Sequence, residues 1–229
     1  MNLDGRKIVV TGAFGSVGIE VTHALIEAGA LVASVDYASA TTSHVEAAGR
    51  VVLAEVDLCD PAEAAKAIES AAGRLDGIDG LVNVAGGFSW EKVDGGDIGT
   101  WDRMYRLNLC TAVNASRAVL PRLPSGGRIV NIGAAGAIKA GAGMGAYAAS
   151  KAGVAKLTEA LAEELKDRRI TVNAILPSII DTLANRADMP DADFERWVKP
   201  EQIADLIVFL LSNRASAITG ALIPITGRV

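Results

Sequence analysis

Cysteine and histidine are nearly missing from this chain: Cys59, Cys110, His23 and His44 are the whole supply in 229 residues. Neither pair has metal-ligand spacing, which excludes a disulfide framework and a zinc site and leaves two buried thiols in a reduced compartment as the expectation, with no metal. Positive charge is also short. The net charge is -5 and no basic stripe is present, so nucleic acid is not an expected partner. No apolar run approaches the ~20 residues of a membrane span. Residues 1–7 lead straight into the apolar Ile8-Val9-Val10 without the features of a signal peptide, and a soluble cytoplasmic protein is expected. Aromatic residues make up only 4% while hydrophobic residues make up 50%, so the core must be built from Ala, Val, Ile and Leu. No linker interrupts the chain, and residues 1–229 read as a single domain.

What is present is a regular alternation. Short β-branched runs occur at 7–11, 31–36, 51–56, 80–84, 128–132, 171–176 and 221–224, with helical segments between them. Seven strands alternating with helices predict an α/β fold with a doubly wound parallel sheet of the Rossmann type. Asp60-Pro61-Ala62-Glu63 predicts a helix start with Asp60 as cap, Pro61 in the first turn and Glu63 closing a capping box. Long helices are expected at 146–166 and 200–211, and Arg168-Arg169 reads as a solvated helix end. Two stretches, 133–145 and 178–199, look irregular and follow strands. Ligands bind outside the carboxyl ends of the strands in such sheets, so these loops are expected at the site, the second as a substrate loop.

Gly12-Ala13-Phe14-Gly15-Ser16-Val17-Gly18 follows the first strand and opens a helix, the context in which glycines let a backbone approach a diphosphate. Asp36 ends the second strand, eighteen residues after Gly18, where a carboxylate can accept both hydroxyls of an adenine ribose. A 2'-phosphate would be repelled there, and neither Phe14 nor Tyr37 supplies a compensating cation, so NAD(H) is the expected cofactor. Asp57-Leu58 is placed to border the adenine, although Asp57 reads equally as a cap on the next turn. Asn83-Val84-Ala85-Gly86 is placed to border the second ribose.

Tyr147 and Lys151 stand four residues apart, one helical turn, so hydroxyl and ammonium share a face. A phenol titrates near pH ~10, and a neighbouring cation favours its charged form, which makes Tyr147 a candidate acid/base. Alone, the pair also fits an ordinary amphipathic helix.

With these motifs in one order, the chain resembles the short-chain dehydrogenase/reductase family over essentially its whole length. The resemblance implies that Tyr147 is the catalytic acid/base, that Lys151 binds the nicotinamide ribose and lowers the tyrosine pKa, and that Asn108 holds a water in the proton relay. It also implies that segment 177–182, with Pro177, Ile180 and Thr182, cups the nicotinamide carboxamide, Ser178 standing where a glycine is usual. Helices near 101–118 and 146–166 resemble those that pair across a two-fold axis, implying a homodimer or homotetramer.

One departure stands out. Ala134, thirteen residues before Tyr147, occupies the place of the family's catalytic serine, and alanine cannot donate to a substrate oxygen. Losing one such donor costs ~10² to 10³ in rate when negative charge builds on that oxygen. A non-catalytic NAD(H)-sensing protein, a replacement donor, or an easily reduced substrate would each account for it. Within the family, dihydropteridine reductase also dispenses with the serine, and the loops around Val84-Ala85-Gly86-Gly87-Phe88 and residues 176–197 resemble that enzyme's. The resemblance thus implies hydride transfer from NADH to a small planar acceptor such as quinonoid dihydropteridine, with another small alcohol or carbonyl as the alternative. Phe88, Trp90 and Trp197 are the candidate stacking surfaces for a bicyclic ring.

Overall fold

A computed structural model describes residues 1–40 and 51–229; His44 lies outside the described residues. Its strands are β1 (Lys7–Thr11), β2 (Leu31–Val35), β3 (Val51–Leu53), β4 (Gly80–Asn83), β5 (Arg128–Ile132), β6 (Thr171–Pro177) and β7 (Leu222–Ile225). They form one seven-stranded sheet in the order β3-β2-β1-β4-β5-β6-β7, and every pairing is parallel. The helices are α1 (Ser16–Glu27), α2 (Pro61–Leu75), α3 (Gly99–Met104), α4 (Thr111–Val119), α5 (Gly145–Leu165), α6 (Leu183–Asp188) and α7 (Pro200–Leu211). A π-helical turn, Tyr105–Cys110, joins α3 to α4.

The period of two along each strand divides the core into two layers. Val9, Ala33, Leu81, Ile129 and Val172 pack with Ala64, Ile68 and Ala71 of α2 and Leu161 of α5. Ile8, Val10, Val32, Val82, Val130 and Ile175 pack on the other face with Val21 and Leu25 of α1 and Ile203 and Ile207 of α7. Both faces are covered, so the strands are apolar throughout. Alanine does the work of aromatics by letting helices lie close to the sheet.

Several local expectations are corrected. The third strand stops at Leu53 because Glu55 turns into the left-handed region, φ 59°. Asp60 caps α2 through Ala62 and Glu63 N–H, but Glu63 does not close the box; its carboxylate accepts instead from the N–H of Asp57, at 2.8 Å. Arg168 and Arg169 are exposed at a helix end as expected, and Arg168 also donates to the carbonyls of Leu120 and Leu123 at 2.9 and 2.7 Å. Cys59 and Cys110 are free but half-buried rather than buried, since they meet at the rim where the start of α2 faces the π-helical turn. Burial, aided by Asp57, pushes the Cys59 thiol up to about 11. The substrate loop has structure of its own: Thr182 caps α6, and Ile180 pairs with Val198 in an isolated parallel bridge.

Between β1 and α1 the turn is as tight as backbone permits. A Cβ on Gly12, at φ +62°, would lie 2.6 Å from Ala85 Cα, and one on Gly18 would lie 2.0 Å from the Gly12 carbonyl oxygen. Gly15 is different, its added Cβ meeting only the Gly12 oxygen at 3.6 Å. Gly18→Ala is therefore expected to lower stability by about 3 kcal/mol or more, since backbone must move. Gly15→Ala, a helix-cap change, should cost no more than about 1 kcal/mol. Equal thermal melting of the two variants would contradict this assignment.

Candidate active site

The order of strands reverses between β1 and β4, and the loops that leave the carboxyl ends of β1, β4, β5 and β6 converge there. The first contribution is the start of α1. Gly15 and Ser16 are exposed, no side chain caps the helix, and its first turn holds no acidic residue. Its free N–H groups and dipole suit an anion, while Gly12 and Gly18 let the turn pack closely against Ala85 and against itself. The residues of this turn, Gly12, Gly15, Ser16, Val17 and Gly18, could hold the diphosphate of a nicotinamide dinucleotide. A cleft of about 400 Å³ opens beside it, lined by Ser16, Ile19, Asp181, Thr182, Leu183 and Lys199 among others.

Asp36 lies just past β2, its carboxylate accepting from the N–H groups of Phe14 and Ala38 at 2.8 and 3.0 Å. These bonds aim the carboxylate beside the glycine turn. Asp57 accepts from Cys59 N–H at 2.8 Å, the capping role that its position also allowed. The Leu58 side chain is buried in the core, so only its main chain can border an adenine. Asn83 is corrected more firmly. Its amide is buried, donating to Asn131 Oδ1 at 2.9 Å and Ser116 Oγ at 3.2 Å, and it ties β4 to β5 rather than facing a ribose. Ala85 is fixed by its N–H to Thr11 Oγ1 at 3.3 Å.

The catalytic candidates gather at the other side of Gly86. Lys151 is buried and donates to the carbonyl of Ile132, the last residue of β5, at 2.8 Å. A Cβ on Gly86 would lie 3.2 Å from its Nζ and 2.6 Å from Asn108 Oδ1, so the three residues touch. Asn108 sits in the π-helical turn with its side chain engaged: Oδ1 accepts from Gly87 N–H at 2.8 Å, while Nδ2 donates to Gly87 O at 3.1 Å and Ser150 Oγ at 2.9 Å. Both amide hydrogens are committed, while Oδ1 keeps a second lone pair. Such wide turns recur at functional sites.

Tyr147 is half-buried at the start of α5. Its ring meets Phe88 edge to face, centroids 4.9 Å apart, and a Cβ on Gly136, in the turn after Ala134, would lie 3.8 Å from its Cε1. Burial pushes the phenol up to about 12, and the Lys151 ammonium down to about 8. The expected lowering of the phenol by the lysine is thus not found in the protein alone: Lys151 hydrogen-bonds to Ile132, and desolvation dominates for both groups.

Of the three aromatic candidates, Phe88 and Trp90 are exposed beside the site, Trp90 lying against Gly143. Trp197 is buried, with its ring 4.8 Å from Phe194, so it cannot stack on a substrate. Pro177 is buried at the end of β6. Thr182 Oγ1 accepts from Asn185 N–H at 3.2 Å and lines the cleft. Among residues not anticipated, Ser150 and Gly87 join Asn108 to the tyrosine helix; Ser150, three residues after Tyr147 on its helix face, was legible by spacing. Among the described residues no cluster of His, Cys, Asp and Glu could hold a metal, and no helix is long and apolar enough to cross a membrane.

A sheet with this strand order, a glycine turn and a Tyr147/Lys151 helix defines a class of nicotinamide-dependent oxidoreductases. The family model described as enoyl-(acyl carrier protein) reductase matches residues 12–227. The chain belongs to the short-chain dehydrogenase/reductase family and is an NAD(P)-dependent oxidoreductase with a small-molecule substrate. It is 33% identical to nodulation protein G of Azospirillum brasilense, with 96% of each chain covered. It is 30% identical to a 3-oxoacyl-[acyl-carrier-protein] reductase of Thermotoga maritima, covering 99% of this chain and 98% of that one. Among solved structures, a short chain dehydrogenase from Burkholderia cenocepacia in complex with NADP superposes with a TM-score of 0.90 at 33% identity, covering 99% of this chain and 98% of that one.

The buried Lys151 gives a pH signature. Its folded pKa of about 8 lies below the ordinary 10.5, so the folded state resists its protonation. The stability it withholds is fully withheld below pH 8 and returns as pH rises from about 8 to 10.5. Lys151→Met should therefore raise the melting temperature at neutral pH and flatten its dependence on pH across that window. Parallel pH profiles of the two proteins would overturn this reading.

Proposed function

We propose that this oxidoreductase is an NADH-preferring reductase of a planar, electron-poor acceptor, and that a quinonoid dihydropterin represents the acceptor class. The observation that carries this reading is Ala134. It is buried, in extended backbone at the start of the turn facing the Tyr147 ring, and brings no hydroxyl to the place where substrate oxygen would sit. A ketone builds alkoxide charge that needs such a donor. A quinonoid ring, which gains aromatic stabilisation on reduction, needs it far less. Exposed Phe88 and Trp90 offer flat apolar faces for the ring.

The bound cofactor supplies the hydride. Asp36 would hold its adenine ribose, with main chain of Asp57 and Leu58 beside the adenine. Asn83 would support from behind the strand while Ala85 and Gly86 approach the second ribose, which Lys151 would bind. Pro177, Ile180 and Thr182 would frame the carboxamide end. Tyr147, protonated across the physiological range because burial raises its pKa, is poised to give a proton. As the phenol loses that proton, the ammonium of Lys151 one turn away would stabilise the phenolate. Asn108 would hold a water of the proton relay through its main-chain carbonyl or the second lone pair of its Oδ1.

A second reading, reduction of a small carbonyl or oxidation of an alcohol, is favoured by relatives named 3-oxoacyl-[acyl-carrier-protein] reductase and meso-2,3-butanediol dehydrogenase. Steady-state turnover with NADH and NADPH against pterins, quinones and ketones separates the two. The pterin reading expects faster reduction of quinonoid dihydropterin than of ketones, little change on it in Ala134→Ser, and a gain on ketones of roughly tenfold or more. Efficient ketone reduction by the parent with no pterin turnover would sink it. Asp36→Ala should erase the preference for NADH; a preference for NADPH in the parent would show that Asp36 does not read the ribose.

Oligomerisation belongs to the same proposal. Trp101, Tyr105 and Leu107 leave apolar surface exposed along α3 and the π-helical turn, supporting a homodimer or homotetramer through this helical face. Multi-angle light scattering at micromolar concentration should find two or four copies; a monomer refutes it. A reduced, cytoplasmic setting would suit a chain whose two cysteines have no disulfide-framework spacing.

A further inference from the structure

We infer that Ser150 is a positioning residue, the keystone of a closed ring of contacts that sets Tyr147 against the loop carrying Phe88. The inference rests on the reading of Tyr147 as proton donor. The ring runs through five residues. Ser150 Oγ donates to the Tyr147 carbonyl at 2.7 Å and accepts from Asn108 Nδ2 at 2.9 Å. Asn108 holds both polar atoms of Gly87, accepting from its N–H at 2.8 Å and donating to its carbonyl at 3.1 Å. Gly87 leads into Phe88, whose ring returns edge to face onto Tyr147 at 4.9 Å.

The directions of these bonds leave no freedom. Gly87 N–H must find an acceptor, which fixes the amide of Asn108 with Oδ1 toward the loop and Nδ2 toward α5. Nδ2 donates, so Ser150 must accept, and its single hydrogen goes to the Tyr147 carbonyl. Ser150 is 5% exposed and Asn108 1% exposed, so water cannot readily substitute. Nor can the loop drift inward. A Cβ on Gly87 would lie 2.6 Å from Leu107 Cδ2, and one on Gly86 2.6 Å from Asn108 Oδ1, so the main chain is already seated against the π-helical turn.

An alanine at 150 leaves one hydrogen of the Asn108 amide without its acceptor. Among the described residues the only other acceptor in reach is the weak Met104 Sδ, 3.8 Å from Nδ2, so the amide would shift, loosening Gly87 and with it the Phe88 edge against Tyr147. The effect would appear at the phenol, not at the cofactor cradle, because no member of the ring belongs to the glycine turn or touches Asp36. Lys151, which borders Gly86, keeps its own bond to Ile132.

The test compares Ser150→Ala, Ser150→Thr and Tyr147→Phe with the parent, using NADH and the best acceptor from the panel above. Ser150→Ala should lower kcat about tenfold or more while leaving NADH affinity, read by fluorescence titration, within about twofold. Ser150→Thr, which keeps the hydroxyl, should restore most of kcat. A second readout needs no acceptor: in a background of Tyr37→Phe and Tyr105→Phe, Tyr147 is the only tyrosine, and its ultraviolet titration reports the ring directly. The phenol, held up at about 12 in the parent, should fall toward the ordinary ~10 in Ser150→Ala as water reaches it. Parent-like kcat and titration in Ser150→Ala overturn the inference. Joint loss of kcat, NADH affinity and melting temperature, unrescued by threonine, overturns it as well, by showing a merely structural role. If Tyr147→Phe turns over like the parent, the reading of Tyr147 fails instead, and the titration alone then decides whether Ser150 holds the ring.

Discussion

A cation buried at the carboxyl end of β5 organises this site. Lys151 has its ammonium on the Ile132 carbonyl, out of water, where an ordinary lysine would neutralise or snorkel to the surface. Placing it there requires α5 to pass directly over the sheet edge, which its small residues allow. Its neighbour Gly86 has no side chain, and a Cβ there would press on Lys151 Nζ at 3.2 Å and clash with Asn108 Oδ1 at 2.6 Å. The close approach of β4, the π-helical turn and α5 follows from that one placement, and the hydrogen-bond ring through Asn108 and Ser150 fills the gap between them.

Burial gives the two central groups opposite tendencies. It favours the neutral phenol of Tyr147 and the neutral amine of Lys151, so in the protein alone both are biased away from an ion pair. A proton donor held uncharged in this way suits reduction, in which the phenol gives up its hydrogen. Under the proposed function, Ala134 brings no hydroxyl to the site, so proton donation would rest on Tyr147. The proposed planar acceptor, whose reduction is driven by its own ring electronics, would match that economy of polar groups.

Much of the architecture was legible because its signals are local or periodic. The runs at 128–132 and 7–11 coincide with β5 and β1, since strands buried on both faces must be continuously apolar. Pro200 marked the start of α7, and Asp60 its cap on α2, because capping chemistry acts over one turn. Other expectations failed where a residue had two partners to choose from. Glu63 was within reach of both Asp60 and Asp57, and the chain path beyond Leu53 decided for Asp57. Trp197 looked available in an irregular loop, yet the bridge between Ile180 and Val198 folds that loop onto the body and buries the ring.

By itself, the sequence determined which residue types stand at helical and strand spacing: the glycine turn, the acid after β2, and a phenol and an amine one turn apart on one helix. Those depend only on covalent order and on the 3.6 and 2.0 residue periods. Tertiary structure decided what each group faces. Asn83 was turned inward to Asn131, Asn108 was spent on Gly87 and Ser150, and Lys151 was aimed at Ile132 rather than at Tyr147. The physical reason is that burial and hydrogen-bond pairing are set by segments far apart in the chain, and no spacing rule encodes which distant carbonyl or amide will arrive beside a given side chain.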